Sequence, residues 1–170
     1  YQIKTPFLRP KNISMDMSTD ITFVNHAIKE FAKQKILFKI GLILRPTSPI
    51  RNIENIEKGY KIFKKSRATS MRAICLAPAT PYRMWRFNKG FIKPLLKTNL
   101  YEQYNIPRQK LPKVYWQCGN FEYFKIDYKS KINSVSGNKI MGYVLKGKET
   151  EDIDTYEDLK KVEKTIKYAK

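Results

Sequence analysis

The 170-residue sequence is poor in cysteine, histidine and acidic side chains. Its two cysteines, Cys75 and Cys118, stand far apart and lack the partners of a zinc site, so they indicate neither a disulfide framework nor a metal cluster. The single histidine, His26, falls in a predicted helix, and we interpret it as structural. No apolar run approaches the roughly 20 residues of a membrane span, and no charged segment followed by an apolar one opens the chain. We therefore expect a soluble, cytoplasmic protein with reduced thiols and no membrane partner.

Basic side chains, in contrast, are abundant: 34 lysines and arginines face 15 acidic residues, a net charge of +19. The excess is concentrated in residues 51–120, which carry 15 basic and 3 acidic groups, whereas residues 121–170 hold nine of the acids. This charge is compatible with a nucleic-acid-binding module. The lysines between 58 and 65 also fit the solvent-exposed face of a helix. The arginines of residues 51–120 are a different matter, because a guanidinium group can bind a planar anion at two points.

Apolar spacing predicts alternating helices and strands in the first half of the chain. A helix is predicted over residues 19–33, with Ser18 or Thr19 as its N-cap, and a second helix after Asn52. Strands are predicted at 36–44, a continuous apolar run that suits burial on both faces, and at 69–76. Strand, helix and strand with short connections form a βαβ unit, so the predicted fold class is α/β.

Residues 79–139 have a different character, because prolines and aromatic residues accumulate there. Two short runs, 82–87 and 91–95, are joined by Asn88-Lys89-Gly90 and predict a β-hairpin. A segment this aromatic is more often a packing or dimer surface than a ligand pocket. We interpret 79–139 as an arm that leaves an α/β core formed by 1–78 and 140–170, the latter ending in a helix.

Six acidic residues crowd into positions 149–158 of this basic chain. Asp154 or Thr155 can cap the last helix, and acids after the cap favour the positive end of the helix dipole. Asp152 is not explained by capping. In Asp152-Ile153-Asp154 an extended backbone would put both carboxylates on one side, where they could hold a hard divalent cation against a polyphosphate. The sequence leaves capping and metal binding open.

Seven phrases of the chain carry a family resemblance when they are taken in order: PFLRP, LRPTSPIR, PYRMWRF, IKPLL, RQKLPKVYWQCG, NSVSGNKI and DIDTYEDL. Together they resemble the acylneuraminate cytidylyltransferases, and the similarity covers essentially all 170 residues. It implies a Rossmann-like nucleotidyltransferase sheet with a projecting dimerisation arm, and a homodimer. It also implies Mg²⁺-dependent attack of a nine-carbon (nonulosonic) sugar acid on CTP, which yields the CMP-sugar and pyrophosphate.

The resemblance assigns roles to individual residues. Arg45, Thr47 and Ser48 lie in the loop that faces the sugar in this family, although many members have glutamine in place of Arg45. Two arginines resemble the clamp on the sugar carboxylate, which suits bidentate guanidinium chemistry. Two carboxylates resemble the catalytic metal ligands, and two residues of YWQCG are expected at the substrate. The two arginines are Arg83 and Arg108, the two carboxylates are Asp152 and Asp154, and the two residues of YWQCG are Gln117 and Gly119. Cys118, Asn120 and Glu122 replace common family residues.

The glycine- and lysine-rich phosphate loop with which family members bind CTP has no counterpart in this sequence. We expect the chain to represent the C-terminal three-quarters of such an enzyme, lacking the N-terminal part of the fold and inactive on CTP by itself. Two alternatives stay open: a basic nucleic-acid-binding module, and a noncatalytic dimerising fragment. Which nonulosonic acid would be used does not follow from the sequence.

Overall fold

The structure, a computed structural model, describes residues 5–128 and 133–168. Three α-helices lie in these ranges: α1 (Asp20–Lys33), α2 (Ile53–Lys65) and α3 (Tyr156–Lys167). Six strands accompany them: β1 (Ile40–Ile43), β2 (Ser70–Leu76), β3 (Trp85–Asn88), β4 (Phe91–Pro94), β5 (Tyr115–Lys125) and β6 (Ile140–Val144). The predicted α/β class is confirmed.

Four strands form a mixed sheet in the order β1-β5-β2-β6. Strand β5 runs antiparallel to β1, with Ile43 opposite Glu122. It also runs antiparallel to β2, because Lys125 donates to the carbonyl before β2 and Ala77, just after β2, donates to Val114. Strand β6 bonds with both ends of β2 in the parallel sense. Strands β1 and β2 are therefore parallel, as the βαβ prediction requires, but β5 lies between them.

All three helices begin where the sequence predicts. Thr19 precedes α1 in an extended conformation, and the Asn52 side chain accepts a hydrogen bond from the backbone N–H of Glu54 at the start of α2. Helix α3 begins with a reciprocal capping box between Thr155 and Asp158. The capping explanation for the acids that begin α3 is thus confirmed for Asp158.

The first predicted strand is shorter and less buried than the sequence indicated. Beyond the end of α1, Lys35 lies in the left-handed region (φ 60°), and the N–H of Ile36 bonds back to the carbonyl of Phe31, so β1 begins only at Ile40. In the sheet of the described residues, β1 is an edge strand, and Leu42 is 40% exposed. The expectation that both faces of this strand are covered is therefore wrong.

The longest strand was not predicted at all. Strand β5 spans 11 residues inside the aromatic segment that we interpreted as an arm. Residues 79–139 therefore supply both a strand of the main sheet and the predicted hairpin, in which β3 pairs with β4 across Lys89 and Gly90. The interpretation of this segment as a dimerisation arm stays a prediction.

The chain divides into two compact units that interleave along the sequence. The first unit consists of Tyr1–Pro46, Arg51–Arg72 and Phe121–Tyr143, and the second consists of Thr47–Ile50, Ala73–Asn120 and Val144–Lys170. The first unit buries a cluster around Phe63, Met71 and Phe121, whose side chains are fully enclosed. The second unit buries Ala73, Cys118, Leu145 and Val162.

Candidate functional site

The loop after β1 is joined to the acidic segment before α3 within the second unit. Ser48 is fully buried, and its hydroxyl lies 3.0 Å from Oδ1 of Asp152 and 3.2 Å from the carbonyl oxygen of Cys118. One residue away, the N–H of Ile153 donates to the carbonyl of Thr47 at 2.8 Å. The predicted hydroxyl pair is thus divided, because Thr47 is exposed whereas Ser48 has no exposed surface and positions Asp152.

Asp152 also lines a cavity of about 300 Å³, which we call the Asp152 cavity. Its walls are Cys75, Leu76, Pro78, Trp116, Thr150, Glu151, Asp152, Asp158, Lys161 and Val162. Asp154 does not line this cavity; it is exposed, and its carboxylate makes no hydrogen bond or ion pair with the described residues. The structure therefore brings only one carboxylate of the predicted pair into the cavity wall.

Other acids of the Asp152 cavity are engaged in structural contacts. The Asp158 carboxylate accepts hydrogen bonds from the hydroxyl and N–H of Thr155, and these lower the pKa of Asp158 below its usual value. Glu151 is 3.3 Å from the ammonium of Lys161. Residues 5–128 and 133–168 contain no cluster of three or more histidine, cysteine or acidic side chains arranged to hold a metal ion.

The donor chemistry of Asp152 and Asp154 nevertheless fits Mg²⁺. This ion prefers hard oxygen ligands and is usually held by one or two carboxylates together with substrate phosphates and water. Oδ1 of Asp152 is occupied by the Ser48 hydroxyl and the N–H of Ile153, at 3.0 and 3.1 Å. These bonds orient the carboxylate, as hydrogen bonds from neighbouring groups do for metal ligands in general.

A second cavity of about 250 Å³, the Arg108 cavity, lies in the same unit. It is lined by Leu76, Ala77, Thr80, Arg108, Gln109, Leu111, Pro112, Lys113 and Val114. The guanidinium of Arg108 donates to the carbonyl of Ala77 at 3.1 Å, and that of Arg83 donates to Ile106, two residues before Arg108, at 2.7 Å. The predicted arginine pair is therefore held in one region, although only Arg108 lines the cavity.

Arg45 belongs to the first unit, where it is part of an ion cluster. Its guanidinium pairs with Asp20 and with Glu122, the latter at 3.0 Å, and Glu122 also pairs with Arg72 at 2.8 Å. The hydrogen bond to Asp20, followed by the charge of Glu122, raises the pKa of Arg45 above its usual value. Glu122, whose side chain is 3% exposed, thus lies between two arginines rather than beside a free surface.

Strand β5 carries the predicted substrate-binding residues Gln117 and Gly119. It also carries Asn120, for which no role was predicted. Gln117 is exposed, whereas Gly119 is buried in the left-handed region at φ 65°. Burial raises the pKa of the Cys118 thiol to about 11. Asn120 is fully buried and donates to the carbonyls of Ile50 and Glu149, both at 2.9 Å. It ties the loop after β1 to the segment before Asp152, and no sequence pattern would have identified it.

No known protein-family model matches the chain. Among the described residues, none of the helices is both long and apolar enough to cross a bilayer.

Proposed function

We propose that the chain supplies the sugar- and metal-binding part of a nucleotidyltransferase that activates a nonulosonic acid with CTP. The observation that carries the proposal is the position of Leu76, the last residue of β2, in the walls of both cavities. One cavity contains a hard oxygen ligand in Asp152 and the other a carboxylate-binding group in Arg108. Ligand sites of α/β sheets lie beyond the carboxyl ends of strands.

In the proposed reaction the anomeric hydroxyl of the sugar acid forms a bond with the α-phosphorus of CTP. The bond to the pyrophosphate oxygen breaks, pyrophosphate leaves, and the hydroxyl proton passes to solvent. Positioning and charge neutralisation supply most of the acceleration in such phosphoryl chemistry. Arg108 and Arg83 bind and orient the carboxylate of the acid, because guanidinium forms two charge-assisted bonds with it.

Asp152 and Asp154 would hold Mg²⁺, which when bound neutralises phosphate charge. Asp152 is oriented for this by Ser48, whereas the carboxylate of Asp154, two residues further along the chain, makes no competing hydrogen bond or ion pair with the described residues. Thr47 is exposed beside Ser48 but is not among the residues that line either cavity. In the ion cluster of the first unit, Arg45 is paired with Asp20 and Glu122, and its contact with the sugar stays a prediction from the resemblance.

Pyrophosphate release tests the proposal. Because the sequence has no glycine-rich phosphate loop, we propose to assay the chain joined to a segment that carries one, with CTP, Mg²⁺ and N-acetylneuraminic acid. Asp154→Asn should abolish release and leave the melting temperature unchanged, since Asp154 is exposed. The matched control is Asp16→Asn, an exposed acid of the first unit. Full activity of Asp154→Asn would refute the metal assignment.

Arg108→Ala tests the sugar-binding half of the proposal in the same assay. Loss of a charge-assisted bond of about 1.5–3 kcal/mol should raise KM for the sugar acid by roughly 10- to 100-fold. KM for CTP should change much less, because Arg108 is assigned to the carboxylate of the acid alone. An unchanged KM for the sugar acid would count against the clamp.

One observation favours the alternative of a nucleic-acid-binding module. A groove of about 710 Å³ in the first unit is lined by Phe38, Lys39, Ile40, Tyr60, Lys64, Lys125 and Ile126, with no acidic residue among them. The Lys64 ammonium lies 5.7 Å from the centre of the Tyr60 ring. Lysines beside an exposed aromatic ring are the usual means of holding single-stranded nucleic acid.

This alternative predicts a steep salt dependence. Binding of a labelled single-stranded oligonucleotide should weaken about tenfold or more between 50 and 200 mM salt. It should also weaken in the triple variant Lys39→Gln, Lys64→Gln, Lys125→Gln, but not in Lys58→Gln, which lies on α2 outside the groove. Binding that is absent or independent of salt would eliminate the alternative.

A further inference from the structure

The wall of the Arg108 cavity includes a residue with a buried polar atom whose bonding capacity is not used. Thr80 lines the cavity, and its Oγ1 is buried and has no hydrogen-bond partner among the residues that the structure describes. A hydroxyl can donate one hydrogen bond and accept two. Leaving a buried hydroxyl unpaired is unfavourable, so an unused one on a residue of the cavity wall requires an explanation.

Helix capping does not provide this explanation. Thr80 occupies the N-cap position of the short helical turn Pro81–Arg83, but its side chain makes no capping hydrogen bond. Pro81 has no N–H to offer, and the N–H of Arg83 donates to the backbone carbonyl of Thr80 instead. The hydroxyl is therefore directed to no backbone group of its own turn.

The other lining groups indicate which ligand the hydroxyl would meet. Arg108 and Lys113 are cationic, Gln109 is neutral, and no acidic residue appears among the described lining residues of this cavity. The rest of the wall is apolar, with Leu111 buried. At about 250 Å³ the cavity is smaller than typical ligand pockets of 300–1,000 Å³, so it suits one anionic group of a larger molecule.

We propose that Thr80 is a specificity-determining residue that donates a hydrogen bond to the carboxylate bound by Arg108. This inference rests on the proposed function, because it takes the sugar acid as the source of the carboxylate. The guanidinium supplies charge and two donors, and the buried hydroxyl supplies a third donor in the low-dielectric wall. An analogue without the carboxylate would leave the Thr80 hydroxyl unpaired and the Arg108 charge without a counter-ion in the cavity, and would be rejected.

The test is direct binding of N-acetylneuraminic acid to the 170-residue chain by calorimetry, with Thr80→Val and Thr80→Ser as the variants. Valine keeps the shape of threonine and removes the hydroxyl, so Kd should rise roughly 10- to 100-fold. Serine keeps the hydroxyl and should bind within about threefold of wild type. Thr22→Val is the matched control, because Thr22 bonds only within the α1 region and does not line the cavity.

Melting temperature provides a second measurement that a structural role would affect. Because the hydroxyl has no partner in the unliganded protein, Thr80→Val should not lower the melting temperature, whereas loss of a structural hydrogen bond would lower it. Wild-type affinity in Thr80→Val, or a lower melting temperature, would overturn this inference while leaving the proposed function intact. Absence of binding by the wild-type chain, or wild-type affinity in Arg108→Ala, would overturn the proposed function and this inference with it.

Discussion

Glu122 shows how a residue that would hinder an anionic ligand can be neutralised inside the fold. Its carboxylate lies between the guanidiniums of Arg45 and Arg72, at 3.0 and 2.8 Å, and the side chain is 3% exposed. A buried charge is tolerated when it is paired and hydrogen-bonded. The sequence suggested an acid beside the substrate and a loop arginine facing the sugar. The structure pairs these two residues with each other.

Removing the Glu122 charge should therefore destabilise the first unit. Glu122→Gln leaves two arginines without their shared counter-ion, and breaking a buried pair of this kind costs about 3–5 kcal/mol. The free energy of unfolding at pH 7, measured with urea, should fall by that order. Glu163→Gln, an exposed position on α3, is the control and should change it by less than about 0.5 kcal/mol. An unchanged midpoint for Glu122→Gln would show that the cluster is dispensable.

Helix α3 illustrates how one element serves two roles. Its capping box uses Asp158, while the residues just before it present Asp152 to the cavity. Hydrogen bonds to Oδ2 of Asp158 come from the Thr155 hydroxyl at 2.8 Å and the Thr155 N–H at 2.9 Å. Since these bonds favour the ionised carboxylate, they fix the start of the helix and the position of the acidic segment before it.

The stabilisation by Asp158 should depend on pH. Its pKa in the folded protein is lowered below 3.8, first by the Thr155 hydroxyl and then by the Thr155 N–H. The contribution is therefore fully present above the unfolded pKa and disappears as the pH falls through the lower folded pKa. Wild type should melt higher than Asp158→Ala at pH 7, and the difference should vanish in strong acid. A difference that persists below pH 2 would contradict the capping role.

At the scale of the whole molecule, the β3–β4 hairpin exposes a group of large apolar side chains. Phe87 and Phe91 are 75% and 78% exposed, and all eight residues of the two strands are exposed. Exposed aromatic residues in this number are typical of protein interfaces. They support the predicted homodimer, which would equally suit the catalytic proposal and the noncatalytic alternative.

Sedimentation equilibrium tests this assembly. The chain, of 20.1 kDa, should sediment at twice that mass. The double variant Phe87→Ser, Phe91→Ser should dissociate at roughly 100-fold higher concentration or more, because each buried phenylalanine contributes about 1.5–3 kcal/mol. Tyr168→Ser removes an aromatic residue of similar exposure, 79%, outside the hairpin and is the control. A wild-type chain that sediments as a monomer would contradict the prediction.

Local patterns of the sequence determined the elements whose causes are local. Asn52 and Thr155 begin helices because a capping side chain and the N–H groups it binds lie within three residues. The hairpin turn at Lys89 and Gly90 and the limits of β2 follow from neighbouring residues in the same way. Strand β5 was missed because a strand between two others needs no alternation of polar residues, and its aromatic composition equally fits an interface.

Only the tertiary structure decided which side chains meet. The bond from Ser48 to Asp152 spans 104 residues, and the bond from Arg45 to Glu122 spans 77. The same long-range folding buries the Thr80 hydroxyl in a cavity and leaves it unpaired. The sequence by itself determined the α/β class, the helix starts and the chemical types of the candidate residues. Their partners depend on strand pairings between distant segments, which no local pattern encodes.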